Sequence, residues 1–138
     1  MNAQTDFGAL RFKRYLSLET YRKNGKGVRT PVWFAVAPTR RDGAAEPKIY
    51  VYTTVDSGKA KRIRSNGVAR IAPCSAFGRI TGRWVDVRVE IVSDEEAKVG
   101  MRLISWKYIP WKQILDFLSL FGRQKRIVLA IRLESTLD

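Results

Sequence analysis

The stretch IYVYTTVDSGKAKRIR, residues 49–64, changes its period halfway along, and that change sets how the rest of the chain is read. Ile49 to Thr54 is aromatic or β-branched at every position, the composition of a strand on a pleated, packed surface. Asp56-Ser57-Gly58 interrupts it. Lys59-Ala60-Lys61-Arg62-Ile63-Arg64 then follows as a short helix, with Ser57 placed to cap its first N–H groups. Asn66-Gly67 ends the helix.

Upstream, Val28 to Val36 alternates, with Val28, Thr30, Val32, Phe34 and Val36 on one face and Arg29, Pro31, Trp33 and Ala35 on the other. Pro31 has no ladder donor, so this strand is expected at an edge, at a bulge, or with its backbone open to a ligand. It should pair antiparallel with Ile49 to Thr54. Leu16 to Lys23 reads as the preceding strand, joined through the hairpin signal Asn24-Gly25, and Leu10 to Leu16 as a short opening helix.

Downstream, Val68 to Cys74 and Gly82 to Val92 read as strands, the second with Val85, Val87, Val89 and Ile91 facing inward. Ser93-Asp94-Glu95-Glu96 is a capping box that starts a helix running from about Asp94 toward Ile104. Trp111, Ile114, Leu115 and Leu118 recur at helical spacing after Pro110, and Gly122 ends that helix. Arg126 to Glu134 supplies the last strand, with Ile127, Leu129, Ile131 and Leu133 on one face. Six short antiparallel strands would expose their edges as an open sheet, so a mainly β fold closed into a small barrel with peripheral helices is expected. Without a repeat or a linker, residues 1–138 are expected to form a single domain.

The charge is the unusual feature of the composition: 26 Lys plus Arg against 13 Asp plus Glu gives a net +13, so an anionic partner is expected. There is no histidine, which excludes a Ser-His-Asp triad, a Cys-His dyad and imidazole metal ligands. One cysteine, Cys74, cannot form an internal disulfide or a thiolate cluster, and suits a reducing, cytoplasmic setting. Neither a signal peptide nor a membrane-spanning stretch is expected. No Gly-x-Gly-x-x-Gly and no Walker-type lysine loop occurs, so any nucleotide-like cofactor is held in another way.

Chemistry is expected to concentrate at the strand-to-helix junction. Free N–H groups at a helix start, with Lys59, Lys61, Arg62 and Arg64 inside two turns, suit an anion, although the same cations also make an ordinary solvated helix face. Tyr50, Tyr52, Thr53 and Thr54 lead directly into this cluster, which places an aromatic wall and hydroxyls beside the basic groups. Arg29 on the neighbouring strand could reach the same ligand, and Thr30-Pro31-Val32-Trp33 could offer backbone groups to a heterocycle. Packing is the commoner fate of residues such as Trp33 and Trp84.

These residues resemble the flavin-binding split β-barrel family related to pyridoxamine 5'-phosphate oxidase, especially its deazaflavin (coenzyme F420) branch. The resemblance runs from Tyr21 to Cys74. It rests on Thr20-Tyr21-Arg22-Lys23-Asn24-Gly25, Arg29-Thr30-Pro31-Val32-Trp33-Phe34, Ile49-Tyr50-Val51-Tyr52-Thr53, Ser57-Gly58-Lys59-Ala60-Lys61-Arg62-Ile63-Arg64 and Ala72-Pro73-Cys74. It implies a six-stranded antiparallel split β-barrel of the FMN-binding type. It also implies an oxidoreductase using F420 or FMN on a small-molecule substrate, and a homodimer with the cofactor at the interface.

By resemblance, Arg29 and Lys59 hold the cofactor phosphate with Ser57 and Lys61 nearby, Thr30, Pro31, Val32 and Trp33 line the ring, and Tyr52, Thr53 and Thr54 contact ring and ribityl chain. Trp84 could complete the partner's site. Two other readings fit the charge or the barrel: a small barrel that binds single-stranded nucleic acid by stacking and counterion release, and a flavin or haem carrier without turnover.

Overall fold

The computed structural model describes residues 10–37, 48–54, 57–108 and 126–133. Within them the chain runs through β1 (Tyr15–Tyr21), β2 (Gly27–Val32), β3 (Phe34–Val36), β4 (Lys48–Thr54), α1 (Gly58–Ser65), β5 (Val68–Cys74), β6 (Val85–Ile91), α2 (Asp94–Lys107) and β7 (Arg126–Leu133). The architecture is mainly β, one antiparallel sheet in the order β2-β1-β5-β6-β7-β4-β3.

That order forces curvature. β2 and β3 are the two edges of a seven-stranded sheet, yet only Trp33 separates them in the chain. The sheet therefore curls until its edges meet at one residue. Here the expectation of six strands is corrected to seven: the expected strand Val28 to Val36 gives its first half to β1 (Leu16↔Val32) and its second half to β4 (Phe34↔Val51). The expected pairing with residues 49–54 holds for the second half only. The expected opening helix at Leu10 to Leu16 is a single 3-10 turn, Leu10–Phe12. The helix expected after Pro110 lies outside the described residues.

The inside of the curl is apolar, aliphatic apart from Phe34. Leu16, Leu18, Val32, Phe34, Ile49, Val51, Ile71, Val87, Leu129 and Ile131 form one buried cluster, the inward set that the alternation in β6 and β7 predicts. α1 closes one end of the curl by burying Ala60 and Ile63. α2 covers the outer face of β3, β4 and β7, where Ile104 and Tyr108 pack with Ala35, Tyr50, Val128 and Ala130. The helix comes so close there that a Cβ on Gly100 would lie 2.9 Å from Val128 and 3.0 Å from the Tyr50 ring. Lys48 and the Tyr50 hydroxyl both donate to Glu96 in the first turn of α2, at 2.9 and 2.8 Å, and fix its start on β4.

Candidate functional site: the cleft where the edge strand parts from the sheet

β3 and β4 pair from Val36↔Ile49 to Phe34↔Val51. One further step would set Trp33 opposite Tyr52, and the next Val32 opposite Thr53. The chain instead turns away at Trp33 to join β1, while β4 continues along β7 to Thr54. Between the diverging strands lies a cleft of about 370 Å³, lined by Pro31, Val32, Trp33, Tyr52, Thr53, Ser57 and Lys59. Its size falls within the usual range for small-molecule sites.

One wall is aromatic and held in place. The Trp33 ring stacks on Tyr108, with centroids 4.9 Å apart and planes 11° from parallel. The other end is polar and comes from the β4–α1 junction. Ser57 caps α1 by accepting the Ala60 N–H at 3.1 Å, and its Oγ also accepts the Thr53 hydroxyl at 2.9 Å. Both lone pairs of that oxygen are thus used, and its own O–H proton remains as a donor.

Lys59 enters the cleft from the first turn of α1 and is half-buried. Among the described residues no carboxylate reaches it. Burial, with the charge of Arg62 adding to it, holds its ammonium below the usual lysine range. Arg62 follows one turn later on the same face. Its Nε donates to the buried Thr20 hydroxyl at 2.6 Å, and its Nη1 lies 2.8 Å from where a Cβ on Gly58 would stand. Glycine at position 58 therefore leaves room for the guanidinium. Burial and the charge of Arg22 lower Arg62 from its ordinary value.

The sequence reading brings Pro31, Val32, Trp33, Tyr52, Thr53, Ser57 and Lys59 to one place, and the cleft does the same. Arg29, Thr30, Lys61 and Trp84 lie outside its lining, and Thr54 ends β4 beside it, in register with Arg126. Lys61 points away on the exposed side of α1. Arg29 donates to the buried Glu19 at 2.7 Å, and its guanidinium lies 4.7 Å from the centre of the Trp84 ring. Arg70 also binds Glu19, at 2.8 Å, and also covers Trp84, at 4.8 Å. Register explains the grouping: Glu19 faces Arg29 on β2 and Arg70 on β5. Arg62, expected in the basic cluster but not among the cofactor-binding residues that the resemblance implies, follows Lys59 at helical spacing on the same face of α1 and is partly buried, whereas Lys61 is exposed.

No protein-family model matches the sequence, and no curated protein matches it. Solved structures do match, over nine-tenths or more of this chain. A candidate pyridoxamine 5'-phosphate oxidase from Listeria innocua is similar with a TM-score of 0.58 at 14% identity, covering 97% of this chain and 95% of its own. An F420 reductase is similar with a TM-score of 0.56 at 17% identity, covering 92% of each chain. The haem-storage protein of Vibrio cholerae is similar with a TM-score of 0.61 at 15% identity, covering 98% of this chain and 91% of its own. At such identities the likeness establishes the fold that these proteins share.

Proposed function

We propose that the chain is a flavin- or deazaflavin-dependent oxidoreductase with a split β-barrel of the FMN-binding type, which holds F420 or FMN in the cleft and passes hydride to or from a small organic molecule. The observation that carries this reading is Lys59: a half-buried cation without a carboxylate partner among the described residues, sharing one cleft with a hydroxyl donor and an aromatic wall. A buried charge is costly without an opposite charge, so the position suits a ligand's anionic group.

The residues fit such a ligand along its length. Ser57 and Lys59 would hold the phosphate. Trp33, kept in plane by Tyr108, would form one side of the ring's slot. Val32 and Thr53, where the β3–β4 ladder has stopped, would present strand edges to the ring's polar rim. The bound cofactor supplies the hydride chemistry, and the protein supplies binding, orientation and electrostatics, so a chain without histidine can serve. A homodimer in the cytoplasm, with Trp84 completing the partner's cofactor site, completes the proposal.

The test is a titration of the apo protein with FMN, F420, haemin and a short single-stranded oligonucleotide, at two salt concentrations, followed by absorbance and tryptophan fluorescence. Micromolar or tighter binding of one flavin-type ligand, lost in Lys59→Ala, is expected. Binding of haemin alone would make the protein a carrier. Binding of the oligonucleotide alone, falling steeply with salt, would move the function to the basic surface.

A further inference from the structure

One exposed aromatic side chain stands beside the cleft and is held there by its backbone. The turn that joins β5 to β6 carries Phe77 near its tip, 97% exposed. Ser75 locks that turn. Its Oγ accepts the N–H groups of Phe77 at 3.3 Å and Arg79 at 3.1 Å, its carbonyl accepts the Gly78 N–H at 2.9 Å, and its own N–H donates to the Arg79 carbonyl at 2.9 Å. Gly78, at φ +88°, makes the reversal that a side chain would resist. The turn also rests against the cleft: a Cβ on Gly78 would lie 4.0 Å from Pro31, a residue of the cleft's lining. Pro31 is itself exposed, so apolar surface continues from Trp33 through Pro31 to the turn. Arg79 and Arg83 are exposed on the same connection, and among the described residues no carboxylate pairs with either.

Resting on the reading of the cleft as a flavin-type site, we infer that this turn is the lip that receives the second reactant, a planar organic anion of the aromatic carboxylate class, with Phe77 against its apolar face and Arg79 and Arg83 on its charge. Volume is the first reason. A cleft of about 370 Å³ stands at the low end of small-molecule sites, so a tricyclic ring with its phosphorylated chain takes it up and a further molecule is met at the rim. Preorganisation is the second. An exposed phenyl ring has its burial energy still to gain, and a turn already fixed around it lowers the ordering cost of any contact it makes. Charge is the third, because a guanidinium without a partner pairs well with a carboxylate.

The probe is 2-naphthoate, titrated calorimetrically into the protein loaded with FMN or F420 and into the apo protein, with neutral 2-naphthalenemethanol and non-planar cyclohexanecarboxylate as comparisons. Wild type should bind 2-naphthoate about tenfold or more tightly than either comparison. Phe77→Ser should remove most of that affinity and Phe77→Tyr should keep it, while Arg79→Gln combined with Arg83→Gln should bring the acid down to the level of the alcohol. None of these should change FMN or F420 affinity by more than about twofold. Because the replaced side chains are exposed, melting temperatures should stay within about two degrees of wild type. Ser75→Ala releases the turn but keeps the ring and both guanidiniums, and should weaken 2-naphthoate binding about threefold or more.

Equal affinity for the acid and the alcohol, or 2-naphthoate binding that is absent or survives Phe77→Ser, would overturn the inference. So would an oligomer that falls apart in Phe77→Ser, which would make the tip a subunit contact. Each of these leaves the flavin reading standing where FMN or F420 binds. If neither cofactor binds and the apo protein still takes up 2-naphthoate through Phe77 and the two arginines, the lip stands as an organic-anion site and the flavin reading falls.

Discussion

The hydroxyl of Tyr108 sits 3.1 Å from both the N–H nitrogen and the carbonyl oxygen of Phe34, the first residue after the sheet's two edges meet. It accepts that N–H, and it can donate its one proton either to the Phe34 carbonyl or to the Arg14 carbonyl at 2.7 Å. A side chain from the end of α2 thus stands in for a neighbouring strand at the edge of β3. Its ring stacks on Trp33 at the same time, so one residue both closes the sheet edge and steadies the wall of the cleft.

Removing that hydroxyl should therefore cost more than an average tyrosine hydroxyl. Tyr108→Phe leaves the buried Phe34 N–H without its acceptor, and a loss of about 1–3 kcal/mol in urea denaturation is expected. Because the ring remains, ligand binding should weaken by no more than a few-fold. A stability loss below about 0.5 kcal/mol would mean that water replaces the hydroxyl at the edge.

Beside Tyr108, the Lys107 ammonium lies 3.4 Å from the centre of the Phe34 ring, buried and without a hydrogen-bond partner among the described residues. Burial, helped by the charge of Arg14, lowers it to about 8. In the unfolded chain it titrates near its ordinary value of 10.5. Between those two values the unfolded state binds more protons than the folded state, so stability should rise from pH 8 toward pH 10. Lys59, lowered in the same direction, adds to the rise. Above about pH 10 the trend should reverse, because Tyr50 and Tyr108 are raised by burial and keep protons that the unfolded phenols release. Lys107→Met should stabilise the protein at pH 7 by roughly 1–3 kcal/mol and flatten the rise above pH 8. A Lys107→Met variant with an unchanged alkaline slope would show that the slope has another source.

Glu19 governs the acid side. Burial alone would raise its carboxyl, but hydrogen bonds from Arg29, Tyr21 and Arg70 outweigh that and hold it below the usual glutamate value. A lowered folded value adds stability that is present above the unfolded value and lost as pH falls through the folded one. Glu96, lowered chiefly by Lys48, acts in the same sense. Glu19→Gln should cost about 1–3 kcal/mol at pH 7 and reduce the loss of stability at acid pH. It should also change Trp84 fluorescence, since the two guanidiniums on that ring are held by the carboxylate. An unaltered acid limb in Glu19→Gln would count against this assignment.

Much of the sheet can be read from the chain, because inward and outward residues alternate cleanly in β6 and β7 and a one-residue slip would turn every side chain over. The break at Trp33 cannot be read that way. Val32 and Phe34 face the core on either side of it, so the alternation passes through unchanged. What changes is the partner strand, and partner choice depends on residues far away in sequence. The same distinction divides the site. Ser57 and Lys59 are local to a strand-to-helix junction and can be found from its capping pattern. Arg29 and Trp84 look equally suitable from sequence, yet Glu19 on the adjacent strand claims Arg29 and draws it over the indole. Tyr108 reaches Phe34 across 74 residues, and no local pattern announces such a contact.

Lys59 gives the sharpest test of function because stability and binding should respond with opposite signs. A half-buried ammonium without a carboxylate partner among the described residues disfavours the folded apo protein, and its lowered titration point has the same origin. Lys59→Met keeps the aliphatic stem packed and removes the charge, so the apo melting temperature should stay level or rise by a few degrees. Affinity for the phosphorylated ligand should meanwhile fall more than tenfold, on the scale of ~1.5–3 kcal/mol for a charged hydrogen bond. With saturating ligand the order reverses, and wild type should melt above the variant, because binding to the native state alone raises apparent stability by mass action. A purely structural lysine would lower stability on substitution with or without ligand. Parallel melting curves of both proteins, apo and loaded, therefore separate a cation kept for a ligand from one kept for the fold.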